Sequence, residues 1–488
     1  MHTAAHRWGP TIRERGAASR LDDTVSVTVD GCVRLTAHPL QRVGAYALLS
    51  LAGVGERERS PESLTRAEFE RACAEMADDV IATAALPDTK APHAFWLSAS
   101  YFLWPNSPMN TTSRASLPIA ERRARIAQWR TYPQTVLDVP CALCGFAARG
   151  FYGKVDVPLW ASANHLNTTP PDHEGLALCV GCLASFHALP YGCSIQGGKV
   201  AALHSWDDAV LEAMTRRQVR RTRQEALLSA GGKSTQARYS REVEALWALR
   251  TYEHRVREGV ELYVFSNDNQ PARQGLDVFP VDQPLAEWLR AVLRSAELNI
   301  GFRYLVRAHY SSKAPGSVRL AYNAFHYPHR LSSTAANYLA GLTSSSGKPP
   351  GETTQLVALY KSMVREVLGV AQREIDQIEQ LGDRIGQLLR VKPERGTLKE
   401  FEHVHADTGK LQSWLKKQAV AWTLRREVSE PLVSTEQWRL LFEPGDRLRF
   451  HRDLLFISVL QHLAIHGWLA DDATVRGEQD DDILMEEQ

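Results

Sequence analysis

Two cysteine pairs, Cys141-Ala-Leu-Cys144 and Cys179-Val-Gly-Cys182, constrain this chain more than any other feature. Each C-x-x-C puts two thiolates on one tight turn, and two such turns supply the tetrahedral sulfur set that zinc prefers. The 34 residues between the pairs must therefore fold back on themselves. Residues 138–195, punctuated by Cys, Pro and Gly, read as a loop-rich zinc-ribbon module. Gly145 and Gly181 suit turns that need unusual backbone angles. Four thiolates close the coordination sphere, so the expected Zn2+ is structural and leaves no position for an activated water. Cys193, His165, His173 and His187 are alternative ligands that the spacing does not require. Buried, unliganded cysteines are the competing reading, and they leave the identical spacing unexplained.

Charge is unevenly distributed. Lys and Arg number 57 against 56 Asp and Glu, a formal +1, but residues 471–488 hold one Arg and eight acids. The other 470 residues then carry 56 basic and 48 acidic side chains, a +8 body behind a −7 tail. A hydrophobic content of 44% excludes a wholly disordered chain. At roughly 100–200 residues per domain, 488 residues allow two to four domains. The longest apolar stretch, Leu454 to Ala470, is broken by Gln461, His462 and His466 and reads as a core helix, not a membrane span. The N-terminus has no apolar signal segment, so the expected location is cytoplasmic, with reduced thiols and no membrane partner.

The expected fold is α+β: a mixed N-terminal domain with an inserted four-cysteine zinc ribbon, followed by a C-terminal helical bundle. Residues 1–23 form a leader and 24–137 an α+β region. There Thr24–Val29 alternates as a strand, Asp30-Gly31 turns, and Cys32–Leu35 returns. The segment from His38 to Gly53 reads as a buried helix, Ser63–Ala84 as a second helix, and Phe95–Trp104 as a strand. After the ribbon, 196–340 continues the α+β domain, with strands at Glu261–Ser266 and Leu276–Val281 and a helix face at Leu285, Trp288, Leu289 and Val292. Gly341–Gly351 reads as a linker. The bundle, 352–470, shows helical spacing at Ile375, Ile378, Leu381, Ile385 and Leu388, and capping boxes at Thr397-x-x-Glu400 and Ser434-x-x-Gln437. The acidic tail, 471–488, closes the chain.

Several catalytic signatures fail. Gly231-Gly232-Lys233-Ser234 resembles the end of a phosphate-binding loop, but position 227 is Leu where the motif needs Gly. Asp172-His173 between the cysteine pairs evokes an HNH-type nuclease, with His165 as a further candidate. Only Glu174–Leu178 separates His173 from Cys179, too little for the rest of that motif. No catalytic constellation is expected. Two basic clusters are nucleic-acid candidates. Arg216, Arg217, Arg220, Arg221 and Arg223 fall on a helix-compatible stretch and make a stripe suited to phosphates. Arg303, Arg307, His309, Tyr310 and Lys313 interleave cations with aromatics inside the segment Phe302–Arg330. A solvated helix face is the plain alternative for the first, and a strand with one polar face for the second.

A further set of short motifs runs in a fixed order. Leu35-Thr-Ala-His-Pro-Leu40 with Gly44 precedes Pro105-Asn-Ser-Pro-Met-Asn110, the Cys141 pair and Pro158-Leu159. The Cys179 pair, Leu189-Pro-Tyr-Gly192 and Tyr263-Val-Phe-Ser-Asn267 follow. The order resembles the large subunit of type I CRISPR effector complexes (Cascade), in the group named for its CXXC–CXXC pattern in subtypes I-A and I-B. The resemblance covers about residues 24–345, and Gln41-Arg42-Val43 departs from the acidic residue that often precedes the helical Gly. It implies a non-enzymatic subunit of an antiviral ribonucleoprotein that holds guide RNA and reads the motif flanking double-stranded target DNA. Its implied partners are backbone and small subunits and a helicase-nuclease, or transposition proteins in a transposon-carried system. Asn106 and Asn110 are the candidate reading-loop residues, with turn-forming Asn as the alternative. Some relatives make the small subunit from an internal start, for which Met363 is the candidate; a core Met is the competing reading. The other function classes are a zinc-dependent nuclease using His165, Asp172 and His173, and a stand-alone zinc-ribbon nucleic-acid adaptor.

Overall fold

The computed structural model describes residues 32–53, 59–110, 116–160, 175–228, 241–269, 274–346, 349–391, 393–425, 430–445 and 447–470. The expected strand at Thr24–Val29, the acidic tail, and His165, Asp172 and His173 lie outside the described residues. Within them the chain is mixed α/β with a helical C-terminal region. No helix among them is long and apolar enough to cross a membrane.

Helix α1 (Pro39–Leu51) starts where Pro39 fixes the first turn and His38 caps it, accepting from the Gln41 amide at 3.4 Å. It is buried along almost its whole length, and its buried Gln41 and Arg42 find partners elsewhere in the fold, Arg42 pairing with Asp208. Gln41 donates to Arg34 O at 2.9 Å and accepts from Thr36 Oγ1 at 2.9 Å. Cys32–Leu35, expected as a returning strand, joins no ladder among the described residues. Helix α2 (Arg66–Ala82) opens on a capping box, with Thr65 N donating to Glu68 at 2.9 Å. Helix α3 (Phe95–Leu103) corrects the strand expected there. Its buried positions, 96, 97, 99, 100 and 103, follow the helical period, because this apolar run packs one face inward. Helix α4 (Ile119–Trp129) follows. Strands β1 (Gly150–Tyr152) and β2 (Leu176–Leu178) then form a small antiparallel pair leading into α5 (Val180–Ala188).

Two glycines bring α5 against α1 and against the Cys32 segment that precedes it. A Cβ at Gly44 would sit 1.8 Å from Ser185 O, and one at Gly181 would sit 2.1 Å from Cys32 O. The backbones touch where any side chain would separate them. Gly181 therefore serves close approach within a helix rather than the unusual turn expected of it.

The main sheet is antiparallel in the order β3 (Cys193–Gln196), β4 (Lys199–Ser205), β5 (Val260–Ser266), β6 (Gly275–Val281). Helices α6 (Asp208–Leu228) and α7 (Arg241–Arg250) connect β4 to β5. Alternate residues of the central strands face two different cores. Val200 and Ala202 on β4 and Phe265 on β5 join the N-terminal cluster with α1 and α5. Ala201, Leu262 and Val264 join a second cluster that runs through every later helix to Ala470. Helix α6 is split in the same way, with Leu211 and Val219 on one side and Val210 and Met214 on the other. The sheet is thus a wall shared by both halves, which couples their stabilities.

Helices α8 (Gln283–Val292), α9 (Ala296–Ala308), α10 (Gly316–His326) and α11 (His329–Ser346) follow. The segment Phe302–Arg330, for which a strand was the plain alternative, is helical on both sides of its turn. Gly341–Ser346, expected to open a linker, forms the last turns of α11. The C-terminal helices are α12 (Thr353–Glu366), α13 (Gln372–Val391), α14 (Arg395–His405), α15 (Thr408–Thr423), α16 (Thr435–Phe442) and α17 (Leu448–Ile465). The Ser434 capping box is present, with Gln437 N donating to Ser434 Oγ at 3.1 Å. The Thr397 box is not: α14 begins at Arg395, directly after Pro393-Glu394, so Thr397 is already inside the helix. Met363 is a buried core residue of α12, among Leu359, Tyr360 and Val364.

Candidate metal centre and nucleic-acid-facing surfaces

The first cysteine pair sits on a knuckle closed by two backbone bonds, Cys141 N to Phe146 O at 2.6 Å and Gly145 N to Cys141 O at 2.9 Å. Gly145 has φ +80°, the left-handed turn expected from sequence. The chain returns through β1 and β2, whose register pairs Gly150 with Leu178. That ladder delivers Cys179 to the N-cap of α5, where its sulfur accepts from the Cys182 amide at 3.4 Å. The four Sγ atoms all lie within 4.8 Å of one another. Cys141, Cys179 and Cys182 are buried and Cys144 is half-buried. Four cysteines brought this close can hold a metal ion.

The electrostatics agree with that chemistry. Hydrogen bonds from the thiols of Cys144, Cys179 and Cys182 hold Cys141 far below its ordinary range. The same bonds, to Cys141 first and then Cys144 and Cys179, push Cys182 far above it. Crowding thus favours ionising Cys141 and Cys144 and opposes ionising Cys179 and Cys182. A divalent cation at the centre is what allows all four to be thiolates. Of the alternative ligands, the two among the described residues do not join: Cys193 is buried in β3 outside the cluster, and His187 has other partners.

His187 belongs to a buried network that the sequence did not reveal. Its Nδ1 lies 3.1 Å from Tyr132 Oη, and its Nε2 lies 3.6 Å from Asp156 Oδ1. Asp156 Oδ1 also accepts from Trp129 Nε1 at 2.7 Å, and its carbonyl accepts from Trp104 Nε1 at 3.0 Å. Above these rings lies the Arg130 guanidinium, 4.1 Å from Trp129 and 4.8 Å from Trp104. Burial, and then the Arg130 charge, lower the His187 pKa to about 4 against the opposing pull of Asp156. The neutral imidazole ties the end of α4 to α5, and hence to the second cysteine pair. The only signal available was the aromatic-rich Trp129-Arg130-Thr131-Tyr132, whose partners are remote in sequence.

The two basic clusters differ sharply. On α6, Arg216 pairs with Glu212 at 2.9 Å, and Arg221 pairs with Glu225 at 2.9 Å and Glu244 at 2.7 Å. Arg223 pairs with Glu75, and Arg217 donates to Thr251 Oγ1. Arg220 is exposed and makes no salt bridge among the described residues. Most of this stripe is therefore bound internally rather than open to phosphates. Arg303 and Arg307, one turn apart on α9, are exposed and make no salt bridge among the described residues. Exposed Lys313 and the Tyr310 ring, 68% exposed, follow them at the end of the helix. His309 departs from that surface: it is buried, its Nδ1 donating to Leu305 O at 2.8 Å.

The two asparagines also separate. Asn110 accepts from Ser100 Oγ at 3.0 Å and donates to Trp104 O at 3.1 Å, so its amide closes its own turn. Asn106 is exposed and accepts from Asn269 Nδ2 at 2.7 Å. No protein-family model, no curated protein and no solved structure matches this chain.

Proposed function

We propose that the chain is a non-catalytic, zinc-stabilised subunit of an RNA-guided DNA-targeting complex of the type I CRISPR effector class. In this reading it contacts guide RNA, reads the motif flanking a double-stranded target, and recruits a helicase-nuclease or transposition proteins from a cytoplasmic complex. Base pairing with the guide then reads sequence, and the protein reads the flanking motif and backbone. The reading rests first on the ordered motifs from Leu35 to Asn267. The observation that carries it beyond sequence is the open face of α9, where Arg303 and Arg307 make no salt bridge among the described residues and stand beside Tyr310 and Lys313. Such a face can meet phosphates with its cations and bases with its ring.

The metal in this proposal is Zn2+, because four thiolates select a soft, tetrahedral ion. Its task is to hold the 138–195 module in the N-terminal half, while residues 352–470 form the helical half. Asn106 takes the base-reading role, since its side chain is exposed and that of Asn110 is spent within its turn.

Reconstitution with guide RNA and backbone subunits tests the proposal. Target binding should require this chain, depend on the flanking motif, and weaken with salt. Guide-loaded complexes that bind target equally well without it would overturn the reading. Metal-dependent nicking by the isolated chain, lost in His173→Ala, would replace it with the nuclease.

A further inference from the structure

A cavity of about 560 Å³ opens between α6, α7 and the face of the sheet that carries Leu203 and Leu262. That size lies within the range of small-molecule sites. Three arginines line it: Arg221, which pairs with Glu244 and Glu225, Arg241, whose Nε lies 3.5 Å from Glu242, and Arg217, which makes no salt bridge among the described residues. Trp247, 51% exposed, stands at its edge.

Two buried polar atoms lining this space have no hydrogen-bond partner among the described residues, Thr215 Oγ1 and Glu244 Oε2. Thr215 is 2% exposed. Folded proteins pair nearly all such atoms, so two orphans in one cavity point to something that fills it. Glu244 is also held in a fixed orientation. Its Oε1 accepts from Arg221 Nη2 at 2.7 Å and from Gln196 Nε2, which leaves Oε2 as a fixed acceptor. The ligand must offer Glu244 a donor, meet the Thr215 hydroxyl, present a flat face to Trp247, and bring negative charge to Arg217 and Arg241.

We propose that this cavity binds a nucleotide whose base carries an amino group beside a ring nitrogen, as cytosine and adenine do. The amino group donates to Glu244 Oε2, the ring nitrogen accepts from Thr215, the base stacks on Trp247, and the phosphate meets Arg217 and Arg241. Uracil places a carbonyl where cytosine has the amino group, so its lone pairs face those of Glu244. The site discriminates between two bases of nearly equal size. It does not depend on the guide-RNA reading, because a free nucleotide and an unpaired nucleotide of a strand present the same chemistry.

Calorimetry on the full chain tests it with cytidine 5′-monophosphate, uridine 5′-monophosphate and inorganic phosphate. The cytidine nucleotide should bind at least about tenfold more tightly than the uridine nucleotide, and more tightly than phosphate. Glu244→Gln should abolish that ratio. Because this buried change can disturb folding, Arg241→Ala at the cavity edge serves as the second variant. It should weaken both nucleotides while keeping their ratio. Displacement of the cytidine nucleotide by a 5′-phosphorylated oligocytidylate assigns the site to strand ends, and failure to displace it assigns the site to free nucleotides; either supports the cavity. Equal affinity for the two nucleotides, binding explained by phosphate alone, or no binding at millimolar concentration overturns the proposal.

Discussion

The sulfurs of Cys144 and Cys179 lie 3.5 Å apart although 35 positions separate the residues in sequence. Without a cation, that proximity sets thiolates against one another; with zinc, it becomes a cross-link between the knuckle and α5. Cys141→Ser with Cys144→Ser should therefore remove one zinc per chain, as read by atomic absorption. The native fold should lose about 4 kcal/mol where free metal exceeds its dissociation constant a thousandfold. Full zinc content and an unchanged melting temperature in this variant would refute the cross-link.

The contact between α1 and α5 makes a separate prediction. Gly44→Ala puts a Cβ 1.8 Å from Ser185 O, a backbone atom that cannot swing aside. The helices must part, at about 3 kcal/mol or more. Urea unfolding measures this directly, and a wild-type midpoint in Gly44→Ala would show that the two backbones do not meet there.

Burial of Asp453 on α17 sets a pH dependence. Desolvation raises its pKa from 3.8 to about 6, against the pull of Arg449 and Arg452. The folded state then binds more protons than the unfolded state between about pH 4 and 6, so this group makes stability fall as pH rises through that window. Above it the ionised carboxylate is destabilising by roughly 2–3 kcal/mol. Asp453→Asn should be more stable than the parent at pH 7 and equal to it near pH 3.5. Thermal melts at both values check this, and a variant less stable at pH 7 would contradict it.

Local signals were legible where they specify their own geometry. The Cys pairs, the left-handed Gly145 and the Ser434 box could each be read from a few neighbouring residues. Phe95–Trp104 could not, because a short apolar run is compatible with strand or helix until its packing partners are known. Thr397 failed because the helix already starts at Arg395, two residues after Pro393. The buried network of Tyr132, His187 and Asp156 joins three separate segments, and no local pattern announces it. The partners of the α6 arginines were hidden for the same reason: Glu75 and Glu244, which pair with two of them, come from elsewhere in the chain.

That distinction between the two basic helices yields the sharpest functional prediction. Arg303 and Arg307, which make no salt bridge among the described residues, can release counterions from a bound strand, whereas Arg216 and Arg223 must first abandon Glu212 and Glu75. Each phosphate contact contributes about 0.9 to the slope of log affinity against log salt on duplex DNA. Arg303→Ala with Arg307→Ala should lower target affinity and flatten that slope by about 2, with little change in melting temperature. Arg216→Ala with Arg223→Ala should leave the slope nearly unchanged, because those cations are already neutralised within the fold. Binding isotherms on one duplex across a salt series compare the two variants. A slope that flattens only in the α6 variant would place the strand on α6 and remove α9 from the interface.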